Sequence, residues 1–179
     1  MQDSEIVIDI RTRVISQEER AFVLFPGEAH KFYVDFSNNS HVFLDFPGLD
    51  LSNVFDPDLD PDWTQRIAMS EKIRAWHRKG RPEDDLPARH LSAYDGYKLT
   101  PDRALYAGAI HQLYYKLKRG ELLIVPGPGY WTDVLVGEIA DEPGQFGVAE
   151  IEGYQHDQIP ARKVRWLGPV DEVRDPEAG

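Results

Sequence analysis

The stretch Gly120-Glu121-Leu122-Leu123-Ile124-Val125-Pro126 decides the fold class, because it is a short apolar run that begins at glycine and ends at proline. The loop Gly127-Pro128-Gly129-Tyr130-Trp131 follows it, and Val134-Leu135-Val136-Gly137-Glu138-Ile139 has the composition of a returning strand. A last strand is predicted at Arg162-Lys163-Val164-Arg165-Trp166-Leu167. This order predicts a small closed barrel with an aromatic-lined mouth.

Shorter strands are predicted in the first third of the chain. Residues 5–15 alternate and are rich in β-branched side chains, while residues 21–25 and 41–46 are apolar runs bounded by turn residues. Between the last two, residues 31–36 place two phenylalanines four apart, which is typical of a short helix.

Two longer helices are predicted between the two groups of strands. The first is bounded by Asp60 and Pro61 at its start and by Gly80 at its end. Residues 80–99 are polar and contain proline, so a loop is expected there.

The second helix is bounded by Thr100 and Pro101 at its start and by Gly120 at its end. An apolar residue recurs at every fourth position along it, and the predicted buried stripe is Leu105, Ala109, Leu113 and Leu117.

Length and composition favour one domain. The chain has 179 residues, 41% of them hydrophobic, which suffices for a single core. We predict an α+β domain over residues 1–169, with a helical insertion at about 60–119 and a charged, frayed tail at 170–179. The acidic N-terminus lacks the pattern of a signal peptide, and no apolar run is long enough to span a bilayer, so a cytoplasmic protein is expected.

The net charge of −11 is unevenly distributed. Residues 66–119 carry twelve Lys or Arg against six Asp or Glu, a net +6, so the rest of the chain carries −17. The acidic excess weakens non-specific binding to nucleic acid. The basic segment is interpreted either as a solvated helix face or as a local phosphate-facing patch.

These strands resemble the PUA-like superfamily, and within it the EVE-like modules found beside restriction-type nucleases. The resemblance rests on residues 120–139, on Gly153-Tyr154 and on residues 162–167, together with residues 33–51, where an aromatic segment and a strand precede Asp50-Leu51. It implies a PUA-like small curved β-barrel with peripheral helices. It also implies a flipped or modified base, or a related nucleotide, held in an aromatic pocket, in nucleic-acid surveillance or phage defence.

The candidate ligand-binding residues are the aromatic and amide side chains predicted at the mouth of the barrel. Tyr130 and Trp131 lie on a Gly/Pro-rich loop that is suited to exposing rings for base stacking. Four further candidates are Phe46 and Pro47, which the resemblance brings to the same rim, and Asn38 and Asn39, whose amides offer a donor and an acceptor to a base edge. Each also has a structural interpretation, as core or turn.

Phosphate contacts are predicted at His77 and Arg78, which close the first helix beside Trp76, itself assigned to the core. No catalytic motif accompanies them. Gly127-Pro128-Gly129 lacks the Lys-Ser/Thr pair of a P-loop, and no nucleophile elbow is present. No cofactor is expected.

Metal binding is not predicted either. The chain has no cysteine, and its six histidines do not show the spacing of a zinc protease. The acidic run Asp50, Asp56, Asp58, Asp60 and Asp62 lacks the turn glycine and the closing glutamate of a calcium loop.

Three functions therefore remain open. The leading hypothesis is a non-catalytic module that binds a nucleotide or a modified nucleobase. The second is an acidic protein-interaction or DNA-mimic protein that meets a basic partner through residues 50–62. The third is a small nucleotide hydrolase, since carboxylate pairs form in space rather than in sequence.

Overall fold

The computed structural model describes residues 20–52, 54, 63–98, 100–129 and 133–167, with backbone alone for 102–104. The strand predicted at 5–15, the tail at 170–179, and Asp56, Asp58, Asp60 and Asp62 lie outside the described residues. Asp50 is described, and its carboxylate accepts a hydrogen bond from the backbone N–H of Ser52 in a local turn.

Helices and strands follow the predicted order. The first part of the chain contributes β1 (Ala21–Val23), α1 (Tyr33–Asn38) and β2 (His41–Val42). Two helices come next, α2 (Trp63–Arg78) and α3 (Pro101–His111), the second continued by a π-helical turn (Gln112–Lys116). The last part contributes β3 (Leu122–Pro126), β4 (Val134–Ile139), β5 (Gly147–Ala149) and β6 (Ile159–Leu167).

The six strands form one mixed sheet in the order β1-β3-β4-β6-β2, with β5 paired to β6. β1 runs parallel to β3, and Ala21 lies opposite Leu122. All other pairs are antiparallel. The α+β class is therefore confirmed.

Closure into a barrel is not confirmed. Within the described part of the chain no pairing joins β1 to β2, the strands at the two ends of the sheet order. These strands contain only three and two residues, so each offers few backbone groups for a closing ladder.

The main core lies where α1, α2 and α3 meet the sheet. Its fully buried side chains include Phe36, Phe43, Ile67, Ile110 and Tyr114. A smaller cluster on α2 joins Ala68, Met69 and Ile73 to Tyr94. α2 thus packs against both clusters, and the second cluster holds the segment 82–97 against it.

α2 ends close to Gly80, the residue that the sequence predicts as its end. Gly80 has φ +79°, a left-handed conformation that favours glycine, and the backbone N–H of Arg81 donates to the carbonyl of Trp76 at 3.0 Å.

The buried stripe of α3 differs from the prediction. Leu105 is 74% exposed and Ala109 is also exposed, whereas Leu113 and Leu117 are buried as predicted, together with Ile110. The reason is that a step of four residues advances about 400° around an α-helix, so a stripe of every fourth residue drifts away from any one face. The helix also continues into a π-helical turn, in which the N–H of Leu117 donates to the carbonyl of Gln112, five residues earlier, at 3.0 Å. The helical turns also end at Lys116, before Gly120.

Candidate ligand-binding groove

The concavity of most chemical interest lies between α2 and the segment 85–94. Lys72, Ala75, Trp76 and Lys79 line one side, at the i, i+3, i+4, i+7 spacing that places them on a single helix face. Asp85, Pro87, Ala88, Ala93 and Tyr94 line the other. We call this space, of about 350 Å³, the Trp76 groove.

Two hydrogen bonds fix the aromatic walls of the groove. The indole Nε1 of Trp76 donates to the carbonyl of Pro82 at 2.9 Å, and the hydroxyl of Tyr94 donates to the carbonyl of Ala88 at 2.9 Å. Burial raises the pKa of Tyr94, against an opposing effect of Arg89, so its hydroxyl stays protonated. Both rings are therefore held by their polar ends.

Small side chains leave the interior of the groove open. Ala75, Ala88 and Ala93 carry only methyl groups, so they leave space between the helix face and the opposite segment. The ammonium of Lys79 is 3.1 Å from the carboxylate of Asp85, and both side chains are more than half exposed, so this pair contributes little to stability. The polar groups at the rim are accessible to a ligand.

A charged network lies beside the groove. Nε2 of His77 is 2.7 Å from Oδ2 of Asp157, and the guanidinium of Arg89 binds the same carboxylate. Burial alone would raise the pKa of Asp157, but the hydrogen bonds from Arg89 and His77 together outweigh it and hold this pKa below its usual range. Arg89 also lies 5.8 Å from the ring centroid of Trp76, which couples the network to the groove.

The predicted phosphate contacts differ in accessibility. The side chain of His77 is only 4% exposed and bridges α2 to Asp157, whereas that of Arg78 is 59% exposed and 3.9 Å from Glu28. Phosphate binding by either residue stays a prediction. Trp76, assigned to the core by sequence, instead lines the groove.

The structure brings Phe46 and Pro47 close to the same network but buries them. Phe46 is 4% exposed, its ring centroid is 5.3 Å from that of Tyr106, and the carbonyl of Pro47 accepts a hydrogen bond from Ser70. The next residue, Gly48, donates its N–H to the carbonyl of Gln158 at 2.9 Å. Both predicted residues thus support the turn beside Asp157, and contact with a ligand stays a prediction for them.

A second set of polar side chains anchors this turn. Asp45 accepts a hydrogen bond from the hydroxyl of Tyr154 at 2.5 Å and pairs with Lys31 at 2.7 Å. Arg74 donates to the backbone carbonyl of Asp45 at 3.0 Å. Burial, followed by the hydrogen bond to Asp45, raises the pKa of Tyr154.

The other predicted residues lie elsewhere. Asn38 is the last residue of α1 and Asn39 follows it, and the side-chain amide of Asn39 donates to the carbonyl and the carboxylate of Asp35. The Nδ2 donor of Asn39 is therefore used within the protein, and only its Oδ1 acceptor is left to contact a nucleobase. Tyr130 and Trp131 lie outside the described residues.

The structure describes both ends of the loop that carries those two aromatic residues, at Gly127 and Asp133. The N–H of Gly127 donates to the carbonyl of Asp133 at 2.5 Å, so the loop is closed across its ends. A Cβ on Gly127 would lie 2.7 Å from the ring of Tyr33 on α1. Glycine is required here because both neighbours approach the backbone closely.

Comparisons with protein-family models, with curated proteins and with solved structures found no match to this chain. The geometry of the groove must therefore carry any inference about function.

Nowhere in the described ranges do three histidine or acidic side chains come together as metal ligands would. None of the helices in those ranges has the length and apolar composition needed to cross a bilayer.

Sequence reasoning missed the groove because it treated residues 80–99 only as a polar loop. A signal was present: Pro82, Pro87 and Tyr94 interrupt an otherwise polar segment, and Lys72, Ala75, Trp76 and Lys79 recur at helical spacing. Only the folded chain shows that Tyr94 packs on α2 and brings the two together.

Proposed function

We propose that the protein is a binding module that holds a nucleotide, or a base of a nucleic acid, in the Trp76 groove. The observation that carries this proposal is that two aromatic rings and two lysine ammonium groups line a single concavity of about 350 Å³. Rings bind a planar base by stacking, and ammonium groups attract the phosphate attached to it.

The size of the groove favours a base-sized guest. Its volume is at the lower end of the roughly 300–1,000 Å³ range of small-molecule sites, so a base fits inside while its sugar and phosphate stay at the rim. Lys72 and Lys79 are at that rim. Stacking contributes about 1–3 kcal/mol per base, and the lysines add a salt-dependent term.

The chemistry of the lining favours binding over catalysis. The ionisable residues among the described lining are two lysines, one aspartate and one tyrosine, and the tyrosine hydroxyl is held by Ala88. Such a set offers contacts to a base and a phosphate but no nucleophile activated by a base.

The PUA-like resemblance belongs to this proposal. The mixed sheet with peripheral helices is compatible with a PUA-like fold, which would additionally require the sheet to close into a barrel. By this resemblance, the ligand of the Trp76 groove is a flipped or modified base, and the role of the protein is surveillance of nucleic acid.

The test is a titration of nucleoside monophosphates and short single-stranded oligonucleotides at low salt, followed by tryptophan fluorescence and by calorimetry. Ala93→Leu places a larger side chain in the groove, and we expect it to weaken binding about tenfold or more, equivalent to about 1.4 kcal/mol. Ala140→Leu, at an exposed position after β4, is the matched control and should bind like the wild type.

Two further variants separate stacking from charge. Trp76→Phe should remove most of the ligand-dependent fluorescence change, and Lys72→Gln with Lys79→Gln should reduce the dependence of affinity on salt. Absence of binding by every nucleotide and oligonucleotide, or unchanged binding by Ala93→Leu, would overturn the proposal.

A further inference from the structure

A second concavity lies across β6, between β2 and β5. It encloses about 270 Å³ and is lined by Asn39, Ser40, His41, Gly147, Ala161 and Lys163, with Val148 at one side. We call it the β6 trough. It shares no lining residue with the Trp76 groove.

The strand register explains the floor of the trough. Gly147 on β5 lies directly opposite Ala161 on β6. One partner has no side chain and the other has a methyl group, so the space that a cross-strand pair normally fills stays open. A Cβ built on Gly147 meets nothing within 4 Å.

The register also sets the polar end of the trough. His41 on β2 lies directly opposite Lys163 on β6, and Lys163 is two residues from Ala161, on the same face of the strand. Side chains of directly opposite residues are neighbours, so the imidazole of His41 and the ammonium of Lys163 lie at the same end of the trough. The hydroxyl of Ser40 adds a donor at the same end.

Nearby carboxylates are largely occupied by other partners. Oδ1 of Asp141 accepts a hydrogen bond from Arg162 at 2.6 Å, and its Oδ2 accepts the backbone N–H of Lys163 at 2.9 Å. Asp35 lies behind His41, with Oδ2 3.1 Å from Nε2, and also accepts the amide of Asn39. Asp35 therefore fixes Nε2 of the imidazole, and the doubly protonated ring would offer its Nδ1–H to a phosphate oxygen.

From this arrangement we propose that the β6 trough binds a phosphate group, held by Lys163, His41 and Ser40, with the body of the ester over Gly147 and Ala161. The phosphate belongs either to a free small phosphate ester or to the backbone of a nucleic acid. The site is independent of the Trp76 groove.

The test uses backbone amide and histidine side-chain NMR signals of the full chain in the Ala93→Leu background, in which binding in the Trp76 groove is weakened while the trough keeps all its lining residues. The probes are inorganic phosphate, adenosine monophosphate and a ten-nucleotide oligothymidylate. We expect signals of His41, Gly147 and Lys163 to shift, and Lys163→Gln to weaken binding about tenfold. Lys118→Gln, which removes an exposed lysine from the turn before β3, is the matched control.

Gly147→Val tests the floor, because its Cβ enters open space and its larger side chain occupies the trough. We expect it to abolish binding of the two esters while the spectrum stays that of a folded protein. Saturation by adenosine monophosphate identifies a free ester as the source, and saturation by the oligonucleotide alone identifies a nucleic-acid backbone.

Two results would overturn the assignment: no shift of these signals with any of the three probes, or unchanged affinity in Lys163→Gln. Neither depends on the Trp76 groove, so a failure of the trough and a failure of the proposed function are separately visible.

Discussion

The guanidinium of Arg162 is fully buried, and its Nε donates to Oδ1 of Asp141 at 2.6 Å. Its other nitrogens donate to the carbonyls of Leu113 at 2.6 Å and Leu117 at 3.1 Å, at the end of the π-helical turn. Arg162 on β6 thus donates hydrogen bonds to carbonyls at the end of the helix that lack a partner within it, and these bonds link the helix to the sheet.

Replacing Arg162 should therefore be strongly destabilising. Arg162→Met removes the guanidinium that binds Oδ1 of Asp141 and the carbonyls of Leu113 and Leu117, and we expect the free energy of unfolding to fall by about 3–5 kcal/mol. Urea denaturation followed by circular dichroism measures it. Arg119→Met, at an exposed position, should change it by less than about 0.5 kcal/mol, and a similar small effect at Arg162 would contradict the assigned role.

Asp157 should make stability depend on pH in the acid range. Its pKa is lowered in the folded state, so the stability that it contributes is complete above the unfolded value of about 3.9 and is lost as pH falls through the lower folded value. Asp157→Asn should be less stable than the wild type at neutral pH, and the difference should shrink below about pH 4. Denaturation at a series of pH values checks this, with the exposed Asp95→Asn as control. A difference that is constant with pH would contradict it.

Two strand glycines should respond oppositely to alanine. A Cβ on Gly137 would lie 2.6 Å from Cε3 of Trp166, its register partner, and 2.5 Å from Val164, so Gly137→Ala should cost about 1–3 kcal/mol. Gly147→Ala meets open space and should be neutral or stabilising by up to about 1 kcal/mol. Thermal unfolding of both variants measures the contrast, and equal effects would show that the close packing of Trp166 on Gly137 is not required.

The hydroxyl of Tyr114 should be essential to the core. It donates to the carbonyl of Pro160 at 2.6 Å and accepts the N–H of Leu44 at 3.5 Å, and burial raises its pKa so that it stays neutral. Tyr114→Phe leaves both backbone groups unpaired, at a cost of about 1–3 kcal/mol in the free energy of unfolding.

Tyr106→Phe is the matched control for Tyr114, because Tyr106 is partly exposed and its hydroxyl has no hydrogen bond within the described residues. Chemical denaturation should show little change for it. Comparable losses in the two variants would contradict a special role for the buried hydroxyl.

Local signals gave the helix and strand positions well. Gly80 ends α2, and a glycine at this place is predictable because glycine adopts a left-handed backbone without steric cost. The apolar runs that form β3 and β4 are recognisable from composition alone. The stripe on α3 failed at Leu105 because an every-fourth-residue spacing drifts around an α-helix, so Leu105 does not share a face with Leu113 and Leu117. The contact of Arg162 with the carbonyl of Leu113 could not be predicted, since it forms only through tertiary packing.

The candidate sites were harder to predict. The Trp76 groove requires Tyr94 to pack on α2, and the β6 trough requires His41 to lie opposite Lys163. Both contacts join residues that are distant in the sequence, so no local pattern predicts them. Phosphate contact by His77 stays a prediction, and the pairing of this residue with Asp157 could not be predicted because Asp157 lies 80 residues further along the chain.

The parallel pairing of β1 with β3 has a consequence for synthesis. Ala21 leaves the ribosome long before Leu122, its partner, has been translated, because the whole helical insertion separates them. Until β3 is synthesised, the edge of β1 has no partner strand, and exposed apolar residues and strand edges of this kind favour aggregation. The pairing of β1 with β3 is also slow to form, since it joins residues far apart in the sequence.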